Sequence, residues 1–403
     1  MLSKAYIPYS GYYSTPFCRW QGSLANEHSI KLAAATSKAW MTGRDIEPTT
    51  FDYLILGITI GQPAWFYGAP WAAAMTGISG FKDQPSSSSA MTISQACTTS
   101  ATCVLQAGLG IETGLYEQVW TLTTDRCSNG PHTVWPNPNG PGGEVISENW
   151  LMDNFNKDPW AGQAMIQTAE NVSQEEGFSK EDCDQVAFRR YEQYQDALKN
   201  DRAFQKKYMM PIDIKVSKKK TARIEEDEGV FPTTQEGLAG LKPLLPGGTH
   251  SFGSQTHPAD GNCGLIVTTR DRARELSADP NTEIQVLSYG FSRAKQGCMA
   301  KAPVAAAQMA LDKAGLDMKS IATVKTHNPF AVNDLFLAKQ MDLDVMRFNN
   351  FGSSLVFGHP QGPTVARCLI EGIEETVQNG GGYFLFAGCA AGDTGGALIL
   401  KVG

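Results

Sequence analysis

Two periods of apolar and polar positions alternate along the chain. A helical spacing over residues 27–42 stops at Gly43, and the almost wholly apolar run from Phe51 to Gly57 predicts a short buried strand. Residues 91–96 read as another short strand that runs straight into a small-residue helix over 98–113, and 118–124 as a third strand. The C-terminal part repeats the rhythm. A helix over 303–314 ends at Gly315, followed by a strand over 321–326, a helix over 362–380, a buried strand over 383–388 and an antiparallel-type partner over 395–402. Strands alternating with helices predict an α/β fold of βα units on a largely parallel sheet.

The middle breaks this pattern. From Cys127 to about Pro159 the chain is rich in Pro, Gly and Asn and reads as loop. Two helices are expected over 160–207, one of them amphipathic from Asp182 to about Lys199, and residues 215–228 switch from basic to acidic. The expected division is a first half over 1–124, an inserted loop domain over 125–250 and a second half over 251–403. The two halves are similar in architecture without visible sequence repetition.

Composition narrows the classes. At about 150 residues per domain, 403 residues make two to three domain-sized units. A hydrophobic share of 42% excludes a disordered chain. With 34 basic against 41 acidic residues the net charge is −7, which argues against nucleic-acid binding. No apolar run approaches about 18 residues, so no membrane span is expected, and no apolar stretch after Lys4 suggests a secretory signal. The nine cysteines include no C-x-x-C pair. That spacing fits neither a disulfide framework nor a structural zinc site, so free thiols in a reducing cytoplasm and no metal are expected.

Four residues carry candidate chemistry. Cys97 stands where a strand ends and a helix begins, where the helix dipole favours a thiolate nucleophile; a buried structural cysteine fits the same spacing. His359 is locked between Gly358 and Pro360 before a helix and could serve as the base for a thiol, or simply satisfy a turn. His327 follows the strand over 321–326, where an imidazole N–H could help hold an oxyanion, or make only local hydrogen bonds. Cys389 ends the strand over 383–388 in a glycine-rich turn, as an acid or base or as a packing residue.

Taken in order, these four resemble the catalytic set of the thiolase superfamily. Gly11 to Gly57 resembles the family's opening strand, helix and strand, and Ser94-Gln95-Ala96-Cys97-Thr98-Thr99-Ser100-Ala101 its nucleophile loop. Phe357-Gly358-His359-Pro360-Gln361-Gly362, with the later Ala366-Arg367, resembles the G-H-P-x-G block, and Ala387-Gly388-Cys389 the second-cysteine loop. Where many thiolases carry N-E-A-F, this chain has His327-Asn328-Pro329-Phe330, similar to the H-D-C-F of sterol-carrier-protein-like and archaeal-type thiolases. The family's C-x-G becomes Cys389-Ala390-Ala391-Gly392, so the amide of Gly392 is expected to replace the usual glycine in the oxyanion hole.

The resemblance implies a five-layered αβαβα thiolase fold of two βα halves, at least a homodimer. It implies an acyl-CoA C-acyltransferase that cleaves a 3-oxoacyl-CoA through an acyl-enzyme on Cys97. His359 would be the base, His327 would help hold the thioester oxygen, and Cys389 would protonate the leaving carbon. It implies no bound cofactor, with coenzyme A as a substrate. Lys218, Lys219, Lys220 and Arg223 fall where thiolases contact the CoA phosphates, though a solvated charge run fits as well. Ser254 and His257 lie in a stretch resembling the pantetheine loop. Large rings (Trp65, Phe66, Trp135, with His132 and Phe330) are candidates for a bulky or aromatic acyl pocket, and for packing. The H-N-P-F block and loop are similar to thiolases of anaerobic aromatic degradation such as benzoylsuccinyl-CoA thiolase. Thiolases of this type are often paired with a small zinc-ribbon/OB-fold subunit. Two alternatives remain: a decarboxylating or biosynthetic ketosynthase-like enzyme, which shares a Cys-His-His set but needs no Cys389, and a non-catalytic scaffold or lipid carrier.

Overall fold

The computed structural model describes residues 1–78 and 88–403. Its strands are β1 (Tyr6–Pro8), β2 (Tyr12–Ser14), β3 (Cys18–Arg19), β4 (Tyr53–Gly57), β5 (Ser89–Ile93), β6 (Gln118–Arg126), β7 (His132–Pro136), β8 (Val145–Asn149), β9 (Ile212–Ser217), β10 (Lys220–Ile224), β11 (Ala259–Thr268), β12 (Glu283–Arg293), β13 (Ile321–His327), β14 (Gly382–Ala390) and β15 (Thr394–Val402). Among the described residues the main sheet runs β13-β14-β15-β12-β1-β11-β6-β4-β5, with β2 and β3 also on β11. The short strand β1 pairs with both β11 and β12 and so joins two half-sheets.

Alternation along the strands sets the layers, because successive side chains point to opposite faces. In β4, Leu54 and Leu56 join a cluster with Trp40, Ala69, Ala72 and Trp120 under the helices Ser29–Thr42 and Gly68–Thr76. Ile55 between them faces the other way, into the central core. In β14, Phe384 and Phe386 enter that same central core, whereas Leu385 and Ala387 pack on Ala306, Ala310 and Leu337 of the helices Ala302–Ala314 and Ala331–Met341. The middle layer is the helix pair Thr99–Glu112 and Thr364–Gln378, which contributes Val104, Ala107, Leu369 and Ile373. Helices, half-sheet, helix pair, half-sheet and helices make five layers, the expected αβαβα arrangement.

The sheet is mixed, not largely parallel as the alternation predicts. Among the described residues, only β4 with β5 and β6, and β13 with β14, run parallel. Parallel neighbours need a crossover of a dozen or more residues. The chain supplies helical crossovers at those places, while β14 returns directly into β15 and the long strands β11 and β12 lie antiparallel to β6 and β15. Strand β11 lies beyond residue 250 yet pairs with β6 over nine residues, Asp260 to Thr268, and so belongs to the first half-sheet.

The stretch expected as loop after Cys127 also folds. His132–Pro136 and Val145–Asn149 form an antiparallel hairpin, with Trp135 Nε1 donating across it to Glu148 at 3.0 Å, and a short helix follows over Met152–Asn156. Its Pro and Gly residues make the turn rather than abolish the strands. The two helices expected beyond it are Met165–Glu176 and Lys180–Arg202. The second opens on a capping box between Ser179 and Asp182 and sends the buried Arg190 to Asp334 at 2.9 Å, tying the insertion to the first turn of the helix Ala331–Met341.

Candidate active site

Cys97 is held by a strained turn. Ala96 has φ 44, a left-handed conformation that costs a non-glycine residue about 1–2 kcal/mol. Thr99 clamps it: its hydroxyl accepts from the Gln95 N–H at 2.8 Å and donates to the Ala96 carbonyl at 2.7 Å. Helix Thr99–Glu112 begins two residues on. The expectation of a thiolate at this helix end is corrected by burial. Desolvation pushes the Cys97 thiol up to about 12, only partly opposed by the backbone N–H groups of Ala391 and of Cys97 itself. The resting group is a neutral S–H, which donates to Gln361 Oε1 at 3.2 Å.

His359 follows Gly358, whose φ of 89 and close approach to the His257 ring (2.7 Å from where a Cβ would stand) admit only glycine. Its Nδ1 meets Thr364 Oγ1 at 2.6 Å, and that hydroxyl donates to the Pro360 carbonyl at 2.8 Å. A hydroxyl has one hydrogen. The imidazole therefore donates from Nδ1, and its Nε2 is a bare lone pair. His327, at the end of β13, is arranged likewise. Its Nδ1 meets Ser354 Oγ at 2.9 Å, and Ser354 donates to Asn328 Oδ1 at 3.1 Å. Both Nε2 atoms are buried without a hydrogen-bond partner. Burial lowers His359 to about 3 and, with the nearness of His359, takes His327 well below its ordinary value. Cys97 Sγ and one ring nitrogen from each histidine lie within 4.8 Å of one another.

Cys389 closes the group from β14. Its sulfur accepts from Asn333 Nδ2 at 3.2 Å, and burial together with the neighbouring Cys97 pushes its thiol well above the ordinary range. Asp125 secures the remaining wall. Its carboxylate accepts from Thr59 N, Thr59 Oγ1, Ile60 N and Gly362 N at 2.6–2.9 Å, pinning the turn that carries His359 and Gln361.

Cys97, His359, Gln361 and Ala391 line a cavity of about 390 Å³ whose other walls are mainly apolar. Such a strained cysteine with two neutral histidines and a second thiol is a site for acyl transfer. The chain matches the thiolase N-terminal domain over residues 11–271 and the thiolase C-terminal domain over 281–402. It belongs to the thiolase family. Among its relatives, the probable acetyl-CoA acetyltransferase of Mycobacterium leprae is 28% identical over 96% of this chain and 97% of its own length. The mitochondrial 3-ketoacyl-CoA thiolase of Homo sapiens is also 28% identical, over 96% of each chain. The crystal structure of the human mitochondrial 3-ketoacyl-CoA thiolase superposes with a TM-score of 0.89 at 27% identity, covering 99% of each chain. A structure of that human protein in complex with CoA gives 0.87 at 26% identity, covering 99% of this chain and 98% of the other. This protein is thus an acyltransferase of the thiolase family.

Within this thiolase the candidate residues fall in different places. Cys97 and His359 reach the cavity, Phe330 forms part of its wall, and His327, which does not line it, keeps a ring nitrogen within 4.8 Å of Cys97 Sγ. Gly392 is a correction: its amide donates to Asp158 Oδ2 at 2.7 Å, and Ala391 supplies the N–H beside Cys97. Trp65, Phe66, His132 and Trp135 do not line the cavity. Phe66 is 91% exposed, Trp65 packs edge-on against Trp150, and His132 and Trp135 belong to the hairpin of β7 and β8.

The basic run lies outside the lining of this cavity. Lys218, Lys219 and Lys220 occupy the tip of the β9–β10 hairpin, which packs through Ile212, Ile214 and Ile224 on Cys18 and Leu24. Arg223 is paired with Glu225 at 2.7 Å and Asp213 at 3.3 Å, and none of the four lines the cavity. Ser254 is buried, its hydroxyl accepting from Ser251 N at 2.9 Å. His257 lines a second groove of about 360 Å³, which shares Phe252 and Gln255 with the cavity. Gln361, Thr364, Ser354, Asn333 and Asp125 escape sequence reasoning. Gln361 occupies the unspecified place of G-H-P-x-G, and the others meet the site only through folding.

Proposed function

We propose that this thiolase cleaves a 3-oxoacyl-CoA with coenzyme A through a thioester on Cys97. The observation that carries the reading is the meeting of the Cys97 thiol with a ring nitrogen of His359 and of His327, all within 4.8 Å of one another beside one cavity, with the Cys389 thiol buried next to Cys97. His359 Nε2 takes the S–H proton as the sulfur attacks the 3-keto carbon. The N–H groups of Cys97 and Ala391 stand beside the developing oxyanion. Breaking the carbon–carbon bond releases an enolate, which takes the proton of Cys389 and leaves a thiolate there. His327 Nε2 is bare, so in its neutral form it accepts rather than donates; it contributes to holding the thioester oxygen through a water. Coenzyme A then gives its thiol proton to Cys389 and attacks the acyl group, and the departing Cys97 sulfur recovers the proton from His359. The high values of both thiols suit the cycle, since a neutral Cys389 is the form that can protonate a carbanion.

A ketosynthase-like decarboxylating reaction would use the same Cys97, His327 and His359 but has no need of Cys389. The placement of that second thiol next to Cys97 favours the thiolase reading.

The acyl group proposed is bulky or aromatic. Phe155, Phe252 and Phe330 line the cavity together with Met165 and Met299. Benzoylsuccinyl-CoA, split into benzoyl-CoA and succinyl-CoA, is the specific candidate. Coenzyme A would enter by the groove beside His257. A homodimer, built on the sheet edge at β5, and a small zinc-ribbon/OB-fold partner are further parts of this proposal. Intact-protein mass spectrometry after incubation with acetoacetyl-CoA, longer 3-oxoacyl-CoAs and benzoylsuccinyl-CoA tests it. An adduct of the acyl mass that is lost in Cys97→Ser is expected, strongest with the aromatic substrate. No adduct from any of them, with or without a partner subunit, would overturn the enzymatic reading in favour of a scaffold.

A further inference from the structure

Neutral histidines leave this site short of side-chain N–H donors. His359 and His327 both commit Nδ1–H to hydroxyls whose own hydrogens go to Pro360 O and Asn328 Oδ1. Each therefore turns a lone pair, not a hydrogen, toward the reacting sulfur. Stabilising an oxyanion requires donors aimed at where the charge develops.

Gln361 is the side chain placed to supply one. It is 6% exposed, lines the cavity beside Cys97, His359 and Ala391, and takes the Cys97 S–H on Oε1 at 3.2 Å. With the oxygen so engaged, the amide nitrogen is the free end of the carboxamide, and no acceptor among the described residues takes its hydrogens. The carboxamide also favours the charged form of His359, as an acceptor does for an imidazolium N–H. The same oxygen thus serves both states, accepting from Cys97 before proton transfer and from His359 after it. The carboxamide need not turn over during the reaction, and Nε2 stays free for a substrate oxygen in the cavity.

We infer that Gln361 is a catalytic residue: its Nε2–H donates to the oxygen of the acyl group under attack by Cys97, completing with the Ala391 and Cys97 amides a three-donor oxyanion hole. The inference rests on the thiolase reading of Cys97. It also gives a substrate rule, because an acyl donor needs a carbonyl oxygen that reaches Nε2 while its carbon reaches the sulfur.

Two reactions at the same sulfur separate this role from mere placement of Cys97. Acyl transfer builds an oxyanion, whereas alkylation by iodoacetamide does not. In single-turnover experiments followed by intact mass, Gln361→Leu should slow acyl-enzyme formation about 10²–10³-fold, the loss usual for one oxyanion-hole donor. Iodoacetamide should still modify Cys97 at least as fast as in the unaltered protein, because the hydrogen bond that holds the neutral thiol is gone. Gln361→Glu keeps the acceptor oxygen and removes the N–H, so it should lose acylation to a similar degree even if the leucine variant folds poorly. Equal slowing of alkylation and acylation in Gln361→Leu would assign the residue to positioning only. Undiminished acylation in either variant would also overturn the inference. If the unaltered protein forms no adduct at all, the thiolase reading itself has failed, a result distinct from both.

Discussion

The imidazoles of His327 and His359 lie 4.1 Å apart between ring centres, tilted by 34°, and each is anchored by Nδ1 to a hydroxyl on a different turn. Two charged rings could not share that space, and burial already disfavours one. The pair therefore stays neutral through the range in which an ordinary histidine ionises.

That neutrality predicts an acid-labile fold. His359 is lowered from 6.5 to about 3, so the unfolded chain binds a proton there before the folded chain does. Its contribution to stability is complete above pH 6.5, declines as pH falls below that value and is gone near pH 3. Urea unfolding between pH 7 and pH 4 should show stability falling with pH, and His359→Asn should flatten the slope. An unchanged slope in the variant would contradict the assignment.

Iodoacetamide modification of Cys97 should rise about tenfold per pH unit from pH 7 to 10 without a plateau, since burial pushes the thiol up to about 12. A plateau near neutrality would mean a Cys97–His359 ion pair at rest. Peptide mapping of the alkylated protein checks the site.

The two active-site cysteines should separate by reaction. Cys97→Ser abolishes the acyl adduct from every donor. Cys389→Ser should still accept an acyl group from a simple acyl-CoA, which breaks no carbon–carbon bond, but slow cleavage of a 3-oxoacyl-CoA by about 10²–10⁴-fold, the usual contribution of a general acid. Equal loss of both reactions in Cys389→Ser would remove the distinction.

Asp125→Ala leaves four donors on Thr59, Ile60 and Gly362 without their buried acceptor. A destabilisation of about 3 kcal/mol is expected from such a loss and is measurable by urea unfolding. Activity should fall with it, because Gly362 adjoins the Gln361 and His359 turn.

Acyl preference should follow the cavity wall. Phe330→Ala should weaken the largest acyl substrates most, read as the ratio of kcat/KM between a long or aromatic substrate and acetoacetyl-CoA. Phe66→Ala and Trp135→Ala, on exposed segments outside the cavity, should leave that ratio within about twofold.

Much of this protein was readable without coordinates. Helix period and strand runs located the helices Ser29–Thr42, Thr99–Glu112 and Ala302–Ala314 and the strands β4, β6, β13, β14 and β15 to within a few residues, because each buries a face whose spacing is written locally. Cys97, His327, His359 and Cys389 were likewise recognisable, since each stands at a strand or helix end in a short motif. Direction of pairing was not, because antiparallel partners such as β11 and β6 are separated by more than a hundred residues. Nor was the state of the groups. A helix start suggests a thiolate at Cys97, but its burial, the tautomers set by Ser354 and Thr364, and the choice of the Ala391 amide over that of Gly392 depend on contacts made by distant segments. Sequence alone located the helices and strands named above and marked the candidate side chains, because periodicity and motifs are local. Only the tertiary structure decided which of those side chains meet and in what protonation state, because desolvation and hydrogen-bond partners exist only once the layers have packed.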